Sequence, residues 1–208
     1  FRSVVGYAVS GYFGVRNPRH ENEIRSIIRE RTDKPVITGH ELSPELGFYE
    51  RAVTAVLNVK VIPIINSFID SARSALEKRG IDAPLMVVKS DGTLAKSAEI
   101  KKKPIETIFS GPAASAIGAR WLSGRDRGVV IDIGGTTVDI AVLKGGLPSL
   151  TKSGVTVGKW RTKVQSMDLR SAGLGGDSRI ELDEEVGLTF GPNTAIPLAF
   201  SDLPSEKL

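Results

Sequence analysis

Residues Val129–Leu143, with the sequence VVIDIGGTTVDIAVL, carry the strongest structural signal in the chain. Two runs rich in β-branched residues flank a Gly-Gly-Thr-Thr sequence, which is typical of paired strands. The first run predicts a buried strand through Val129, Val130, Ile131 and Ile133. In the second run, alternation assigns Val138, Ile140 and Val142 to one face and Asp139 and Ala141 to the other. Gly134–Thr137 therefore predict the turn of a β-hairpin.

The predicted turn has the composition of a phosphate-binding loop. Gly134 and Gly135 lack a Cβ atom, so a ligand can approach the backbone N–H groups, and successive amides in a tight turn bind anions. Thr136 and Thr137 add hydroxyl donors. Asp132 and Asp139 flank the turn, and carboxylates beside a phosphate site commonly hold Mg²⁺ through its water. A plain hairpin with solvated acids is the alternative, but the combination favours a phosphate loop. Valine at position 135 is expected to strain the turn, on the assumption of a positive φ.

The pattern D-x-G-G-T-T-x-D between two strands resembles the phosphate hairpin of the superfamily that contains actin, sugar kinases and heat-shock chaperone ATPases. An ordered set of motifs is similar, more narrowly, to the hydantoinase and 5-oxoprolinase family, in its A-type (N-methylhydantoinase A-like) subunit. Besides the hairpin, the motifs are VRNPRHE at Val15–Glu21, ERAVTAVLN at Glu50–Asn58, SDG at Ser90–Gly92, PIETIFSGPAASAIGA at Pro104–Ala119 and GLGGDS at Gly173–Ser178.

One segment departs from the family pattern. Many relatives carry GP-x-S-A-G-A-x-P-G-P after the hairpin that follows the GGDS motif. This chain has GPNTAIPLAF at Gly191–Phe200, which matches only over its first two residues. The departure indicates a divergent branch of the family.

The order of predicted elements indicates an α/β fold. Strands in the first half are separated by helical crossovers, so some of them should pair in parallel, whereas the strand meander of the second half should be antiparallel. The resemblance implies an actin-like nucleotidase (ribonuclease H-like) fold, as a partial two-lobed structure with mixed sheets. It also implies that residues 1–109 form the later part of the first lobe. Residues 110–208 would then hold the crossing helix and the start of the second lobe.

Two helices carry signals that the structure can test. A helical pattern runs from about Pro44 to Arg79, with Ser43 as its N-cap. Pro63 interrupts the pattern, which predicts a kink or a division into two helices. Further on, Ser110 is expected to cap the small-residue helix that follows it, with a ligand contact as the alternative.

The resemblance implies a function and its site residues. Relatives couple ATP hydrolysis to the opening of a cyclic amide such as a hydantoin or 5-oxoproline, in some cases with a B-type partner subunit. Asp132 and Asp139 would be the catalytic, Mg²⁺-holding carboxylates. The residues Gly134, Gly135, Thr136 and Thr137 would hold the ATP phosphates, and Gly175 and Gly176 would contact the nucleotide.

Two alternative functions stay open, namely a small-molecule kinase of the same superfamily and a non-catalytic, ATP-switched binding module. The superfamily's second phosphate loop is expected upstream of Phe1, so the chain alone is expected not to turn over substrate.

The amino-acid composition excludes several other classes of function. The 208 residues are 40% hydrophobic and 25% charged, which is ordinary for a globular protein. The absence of cysteine excludes disulfides, thiol catalysis and Cys-ligated zinc, and it fits a cytoplasmic location. No apolar run approaches the roughly 20 residues of a membrane span, so no membrane association is expected. The lysines at 101–103 lack interleaved aromatic residues and indicate a solvated loop, not a nucleic-acid surface.

Two histidines and one Asp-Gly pair are further candidates for site residues. His20 and His40 each precede a glutamate, but an isolated His-Glu pair lacks metal-ligand spacing and indicates structural histidines. Asp91-Gly92 predicts a turn, and the family likeness of the SDG motif implies a role in a substrate cleft.

Overall fold

The computed structural model describes residues 4–151, 154–183 and 187–195. Its elements along the chain are β1 (Tyr7–Val9), α1 (Arg19–Arg29), β2 (Val36–Thr38), α2 (Gly39–Leu42), α3 (Phe48–Glu77), β3 (Met86–Val88), β4 (Leu94–Lys96), α4 (Ser97–Ile100), a 3₁₀ helix (Pro104–Thr107), α5 (Ser110–Ser123), β5 (Gly128–Ile133), β6 (Val138–Lys144), β7 (Leu147–Pro148), β8 (Thr156–Val157), β9 (Trp160–Arg161), β10 (Leu169–Ala172), β11 (Ser178–Asp183) and β12 (Gly187–Thr194).

The described residues divide into two compact units. Those within Phe1–Ala114 and Leu150–Met167 form the first unit, and those within Ser115–Ser149 and Asp168–Leu208 form the second. The division lies inside α5, and the segment that contains β8 and β9 belongs to the first unit. The lobes expected at 1–109 and 110–208 stay a prediction, because these units follow contacts within the chain and not the family's lobe definition.

The strand pairing confirms the α/β class, and parallel and antiparallel pairs both occur among the described strands, in separate small sheets. β1 and β2 pair in parallel, with Tyr7 opposite Val36, and α1 supplies the crossover between them. The pairs of the second half are antiparallel: β5 with β6, β6 with β7 and with β10, and β11 with β12. The expected contrast between a crossover half and a meander half is therefore present.

Helix α3 forms the core of the first unit. Its buried apolar residues Ala55, Val59, Ile62 and Ile69 recur at helical spacing. Ile69 packs with Ala95 of β4 and Ile100 of α4, so the small β3–β4 hairpin rests on the second half of the helix.

Of the two outcomes predicted at Pro63, the division into two helices does not occur and the kink stays a prediction, whereas the predicted start of the helix is wrong. α3 is one helix of 30 residues with Pro63 inside it. Pro63 lies on the exposed side, and buried contacts on both sides of it, at Ile62 and Ile69, hold the helix together although one backbone hydrogen bond is lost. The helix begins at Phe48 after Gly47, which has a φ of 116°. Ser43 instead accepts a hydrogen bond from the Glu45 N–H at 3.2 Å.

By length and composition alone, α3 could cross a membrane. The expectation that no apolar stretch has this length is therefore wrong for these residues. The core helix of a soluble protein meets the same two criteria. In this chain, the helix places a fully buried Arg51 and a fully buried Asn58 against backbone groups of its own unit.

A buried polar cluster fixes the loop after β1. The Glu21 side chain, 1% exposed, accepts hydrogen bonds from the Gly11 N–H at 2.7 Å and the His40 N–H at 3.0 Å, and its Oε2 lies 2.6 Å from His40 Nδ1. Burial acts to raise the pKa of Glu21, but these hydrogen bonds and the charge of His40 outweigh it, so the pKa lies below its ordinary value. Arg51 donates to the carbonyls of Gly11, Tyr12 and Glu45.

In the second unit, β10, β6 and β5 form the main sheet. The predicted alternation along β6 is confirmed, since Ala141 and Leu143 are buried on one face. The prediction of a buried β5 is wrong: Val129, Ile131 and Ile133 are 62%, 57% and 70% exposed. The register places them on the face of Ile140 and Val142, and no residue of the described part of the chain buries that face.

The start of α5 also differs from the expectation. Ser110 is the first residue of the helix, not a cap before it, and Pro112 stands in the first turn. Phe109 precedes the helix with a φ of 61°, and its carbonyl accepts the Ala113 N–H at 3.3 Å. A positive φ is uncommon for an aromatic residue.

Candidate functional site

The hairpin predicted from the sequence is present in the second unit. β5 and β6 pair with Ile133 opposite Val138, and Gly134–Thr137 connect them. The turn is closed by the Gly134 N–H, which donates to the Thr137 carbonyl at 2.8 Å. All four turn residues are exposed. The turn is therefore open to a ligand.

The backbone amides of the turn are available for binding. Within the residues that the structure describes, the N–H groups of Gly135, Thr136 and Thr137 donate to no protein acceptor. The hydroxyls of Thr136 and Thr137 likewise have no hydrogen-bond partner in the described ranges. Five donors are thus grouped on one short turn, which is the arrangement that binds an anion.

The second glycine-rich segment, Gly173–Ser178, holds the turn through backbone hydrogen bonds. The Gly176 N–H donates to the Gly134 carbonyl at 2.9 Å, and the Asp177 N–H donates to the Gly135 carbonyl at 2.7 Å. The Gly175 N–H donates to Ser178 Oγ at 2.9 Å. The carbonyls of the turn therefore point to this segment, GLGGDS, which the sequence placed in the site without predicting a backbone contact.

Two of the glycines have close neighbours, which are backbone atoms at Gly175 and the movable Asp177 side chain at Gly135. A Cβ atom on Gly135 would lie 2.6 Å from Asp177 Oδ2, and one on Gly175 would lie 2.6 Å from the Gly134 carbonyl oxygen. Gly134 and Gly176 have more room, with nearest neighbours at 3.3 and 3.9 Å. Gly135 does not have a positive φ, so the predicted reason for its strain with valine is wrong. The physical reason is the space that Asp177 fills.

The nucleotide contacts assigned to Gly175 and Gly176 stay predictions. Both of their amides donate to protein acceptors, so neither is free to bind a phosphate. If a nucleotide contacts Gly176, it would do so by packing closely against the backbone, since glycine has no side chain.

The two flanking carboxylates face each other across the hairpin. Asp132 and Asp139 are directly opposite in the β5–β6 register, and Asp132 Oδ2 accepts the Ser115 hydroxyl of α5 at 2.5 Å. Like charges in opposite positions destabilise a sheet by up to about 1 kcal/mol, and a cation between them relieves the repulsion. No group of three or more His, Cys, Asp or Glu with metal-holding geometry occurs in the described ranges. Two carboxylates nevertheless suffice for Mg²⁺ when phosphates and water complete its shell.

The sequence did not single out Ser115 and gave Asp177 little weight. Ser115 stands 17 residues before the carboxylate it contacts, in a helix of small residues that looked like simple packing. No spacing rule links the two positions. The GGDS motif was the available signal for Asp177, but its role as the neighbour of Gly135 depends on the docking of two loops.

The SDG motif at Ser90–Gly92 and the histidine at position 40 lie in the first unit, where their contacts are structural. Ser90 is fully buried and donates its hydroxyl to the Glu106 carbonyl at 2.6 Å, and Gly92 closes a turn with a φ of 83°. Burial acts to raise the pKa of Asp91, but hydrogen bonds from Thr93 and the charge of Lys89 outweigh it and lower the pKa. His40 binds Glu21, as a structural histidine should. The substrate-cleft role of the SDG motif stays a prediction.

Fold and site together define a class of protein. It is an α/β protein that presents an acid-flanked Gly-Gly-Thr-Thr hairpin, supported by a second glycine loop, as an open anion-binding turn. The match to a family model makes the assignment narrower: residues 51–196 match the model described as Hydantoinase/oxoprolinase. The chain belongs to the hydantoinase/oxoprolinase family.

Individual relatives agree with this assignment. The chain is 30% identical over 198 residues to caprolactamase subunit alpha of Pseudomonas jessenii, with 93% of this chain and 28% of the relative covered. It is 30% identical over 206 residues to the acetophenone carboxylase gamma subunit of Aromatoleum aromaticum, with the same two coverages. The crystal structure of ATP-dependent caprolactamase from P. jessenii matches with a TM-score of 0.77 and 29% identity over 93% of this chain and 28% of that one. The chain thus spans about 28% of the length of these relatives.

Proposed function

We propose that this chain is part of an ATP-dependent hydrolase that opens a cyclic amide of the hydantoin, 5-oxoproline or lactam type. The observation that carries the proposal is the open turn at Gly134–Thr137, whose unpaired amides lie between two opposed carboxylates. Membership of the hydantoinase/oxoprolinase family and the similarity to caprolactamase subunit alpha support the choice of substrate class.

The chain's own residues have defined tasks in this proposal. ATP, when bound with Mg²⁺, supplies the phosphoryl group that activates the amide oxygen and makes the ring carbonyl more electrophilic. The amides of Gly135, Thr136 and Thr137 donate hydrogen bonds to phosphate oxygens, and the two threonine hydroxyls add further donors. Asp132 and Asp139 would hold the magnesium ion beside the phosphates. Ser115 keeps the Asp132 carboxylate in position through its 2.5 Å hydrogen bond.

Neutralisation of phosphate charge is the main demand of such a reaction. Phosphoryl transfer depends on positioning and electrostatic stabilisation more than on covalent chemistry by the protein. A turn whose donors are fixed before the ligand arrives meets that demand, since no reorganisation is needed when charge develops. The two hydrogen bonds from the GLGGDS segment to the turn carbonyls provide this fixation.

Ketone carboxylation is the second candidate. The acetophenone carboxylase gamma subunit matches this chain with the same identity and coverage as the caprolactamase subunit. Both names describe subunits, which supports a multi-subunit assembly with a B-type partner. A cytoplasmic location, which the cysteine-free sequence supports, is part of the same proposal.

Product analysis tests the proposal. The full-length protein, with its partner subunit, is incubated with Mg²⁺-ATP and a panel of hydantoins, 5-oxoproline, caprolactam and aryl ketones with bicarbonate. Phosphate release together with a ring-opened amide is the expected result. A carboxylated ketone would favour the second candidate, and a stable phosphorylated metabolite would favour a kinase. Nucleotide binding without turnover of any compound would overturn the enzymatic assignment in favour of an ATP-switched module.

A further inference from the structure

A cleft of about 630 Å³ lies in the first unit, between α1, β2, α2, α3 and the loop after α4. Its apolar wall is formed by Val36 and Ile37 of β2, Leu42 of α2 and Ile62 of α3. A volume of this size is typical of sites for small organic ligands, which also bury an apolar body against such side chains. All of its lining residues belong to the first unit, whereas the Gly134–Thr137 turn belongs to the second.

The rim of the cleft is basic. Arg25, Arg29, Lys102 and Lys103 line it, with Glu41 as the single acid among its lining residues. Arg25 and Glu41 neutralise each other through an ion pair of 2.5 Å. Arg29, Lys102 and Lys103 have no ion pair within the described part of the chain. Three basic residues without an ion pair in the described ranges therefore line one cleft, in a chain whose net charge is +4.

Buried hydrogen bonds hold the rim in place. Fully buried Asn58 donates to the Lys102 carbonyl at 3.1 Å and accepts the Ile105 N–H at 3.0 Å, which fixes the lysine-bearing loop against α3. Glu41 also accepts the Thr38 hydroxyl at 2.7 Å. Burial acts to raise the pKa of Glu41, but the hydrogen bonds from Thr38 and Arg25 outweigh it, so Glu41 stays ionised and paired near neutral pH.

We propose that this cleft is a second binding site, specific for a small organic anion with an apolar body. The carboxylate or phosphate head would lie between Arg29, Lys102 and Lys103, and the body would lie on Val36, Leu42 and Ile62. The sequence predicted a solvated loop at these lysines. The structure adds what that prediction lacked, namely a cleft of ligand size, an apolar wall and a loop held by a buried side chain. None of the described residues that line the cleft is aromatic, so they provide no stacking surface of the kind a nucleic-acid site uses.

Calorimetric titration of the full-length protein tests the proposal. The probes are hexanoate, hexyl phosphate and neutral 1-hexanol, which share one apolar body and differ in the head group. We expect saturable binding of at least one anion and binding of the alcohol that is weaker by about tenfold or more, because charge-assisted hydrogen bonds are lost. A preference between hexanoate and hexyl phosphate identifies the head group, and either preference supports the site.

Two double variants locate the binding. K102A/K103A is expected to weaken anion binding by about tenfold or more. K60A/K78A removes two exposed lysines outside the cleft and should leave binding unchanged. The Asp132→Asn variant, altered only at the hairpin, should also bind the probes normally, which separates this site from the proposed ATP site. Absence of saturable binding, equal binding of 1-hexanol, or unchanged affinity in a folded K102A/K103A protein would overturn the proposal.

Discussion

Two glycine turns of this protein use the same backbone chemistry for different ends. In the first unit, the loop at Gly11–Gly14 surrounds the carboxylate of Glu21, which accepts the Gly11 N–H and fills the space where a Gly14 side chain would stand. In the second unit, the turn at Gly134–Thr137 presents three amides for which the described residues offer no acceptor. The first turn contains its anion, whereas the second is open to one from outside.

The difference does not lie in how firmly the two turns are held. Arg51 donates to the carbonyls of Gly11 and Tyr12 in the first, and the GLGGDS segment donates to the carbonyls of Gly134 and Gly135 in the second. Both turns are thus fixed through their carbonyls. A binding turn is distinguished by amides left unpaired on a supported backbone, and the presence of glycine alone does not distinguish it.

The largest effect is expected at Asp132. In the full-length protein, Asp132→Asn should lower Mg²⁺-dependent ATP turnover by about two orders of magnitude or more, since one charge at the proposed metal site is lost. Asp168→Asn, at an exposed acid of the same unit, is the matched control and should retain activity. Steady-state phosphate release measures both, with circular dichroism as the check on folding. Near-normal turnover by a folded Asp132→Asn protein would remove this carboxylate from the mechanism.

Mutation of Glu21, whose carboxylate the Gly11–Gly14 loop encloses, should change the stability of the protein. Glu21→Gln is expected to lower the free energy of unfolding by about 1–3 kcal/mol, because a buried charged acceptor of three hydrogen-bonding groups is replaced. Glu23→Gln changes an exposed glutamate of the same helix and should have a much smaller effect. Urea titration of both variants gives the comparison. Equal stabilities would mean that Glu21 does not hold the loop.

Packing of the open turn can be tested within one loop. Gly175→Ala places a methyl group against the carbonyl groups of Gly135 and Gly134 and should cost about 1–3 kcal/mol of stability. At Gly173 no atom lies within 4 Å of the added carbon, so Gly173→Ala should change stability by about 0.5 kcal/mol or less. Thermal unfolding of the two variants measures the difference. If they unfold alike, the two glycine loops do not pack as described.

Lowering the pH should gradually remove the stability that Glu21 gives to the Gly11–Gly14 loop. The pKa of Glu21 is lowered by folding, so its contribution to stability is fully present above its ordinary pKa of 4.5 and is lost as pH falls through the lower folded value. The free energy of unfolding of the wild type should therefore fall more steeply below about pH 4.5 than that of Glu21→Gln. Urea titrations at pH 7, 5 and 4 test this, and parallel curves for the two proteins would contradict it.

The sequence determined local features well and three-dimensional relations poorly. The hairpin at Asp132–Asp139 was predictable because glycine, threonine and alternating β-branched residues act over a few neighbouring positions. The support of that hairpin by Gly176 and Asp177 was not, because it depends on two loops about 40 residues apart in sequence meeting in space. Ser115 and the basic cleft were missed for the same reason.

The errors have a common physical origin as well. Local propensity disfavours proline in a helix and predicts a kink or a division of α3 at Pro63, yet the contacts of Ile62 and Ile69 keep α3 a single helix. The first strand of the hairpin was expected to be buried because its residues are apolar, but burial depends on what covers a face. Glu21 was passed over beside His20, since charged residues are seldom buried unless they are paired.

Hydrogen exchange of the turn amides measures the central difference directly. In the full-length protein without nucleotide, the peptide that covers residues 134–138 should exchange quickly, whereas the Gly11 amide, which is bonded to buried Glu21, should exchange slowly. Addition of Mg²⁺ with a non-hydrolysable ATP analogue should slow exchange at Gly135, Thr136 and Thr137, leave the Gly11 loop unchanged, and have little effect in Asp132→Asn. Unchanged exchange at residues 134–138 under saturating nucleotide would contradict the assignment of this turn as the phosphate site.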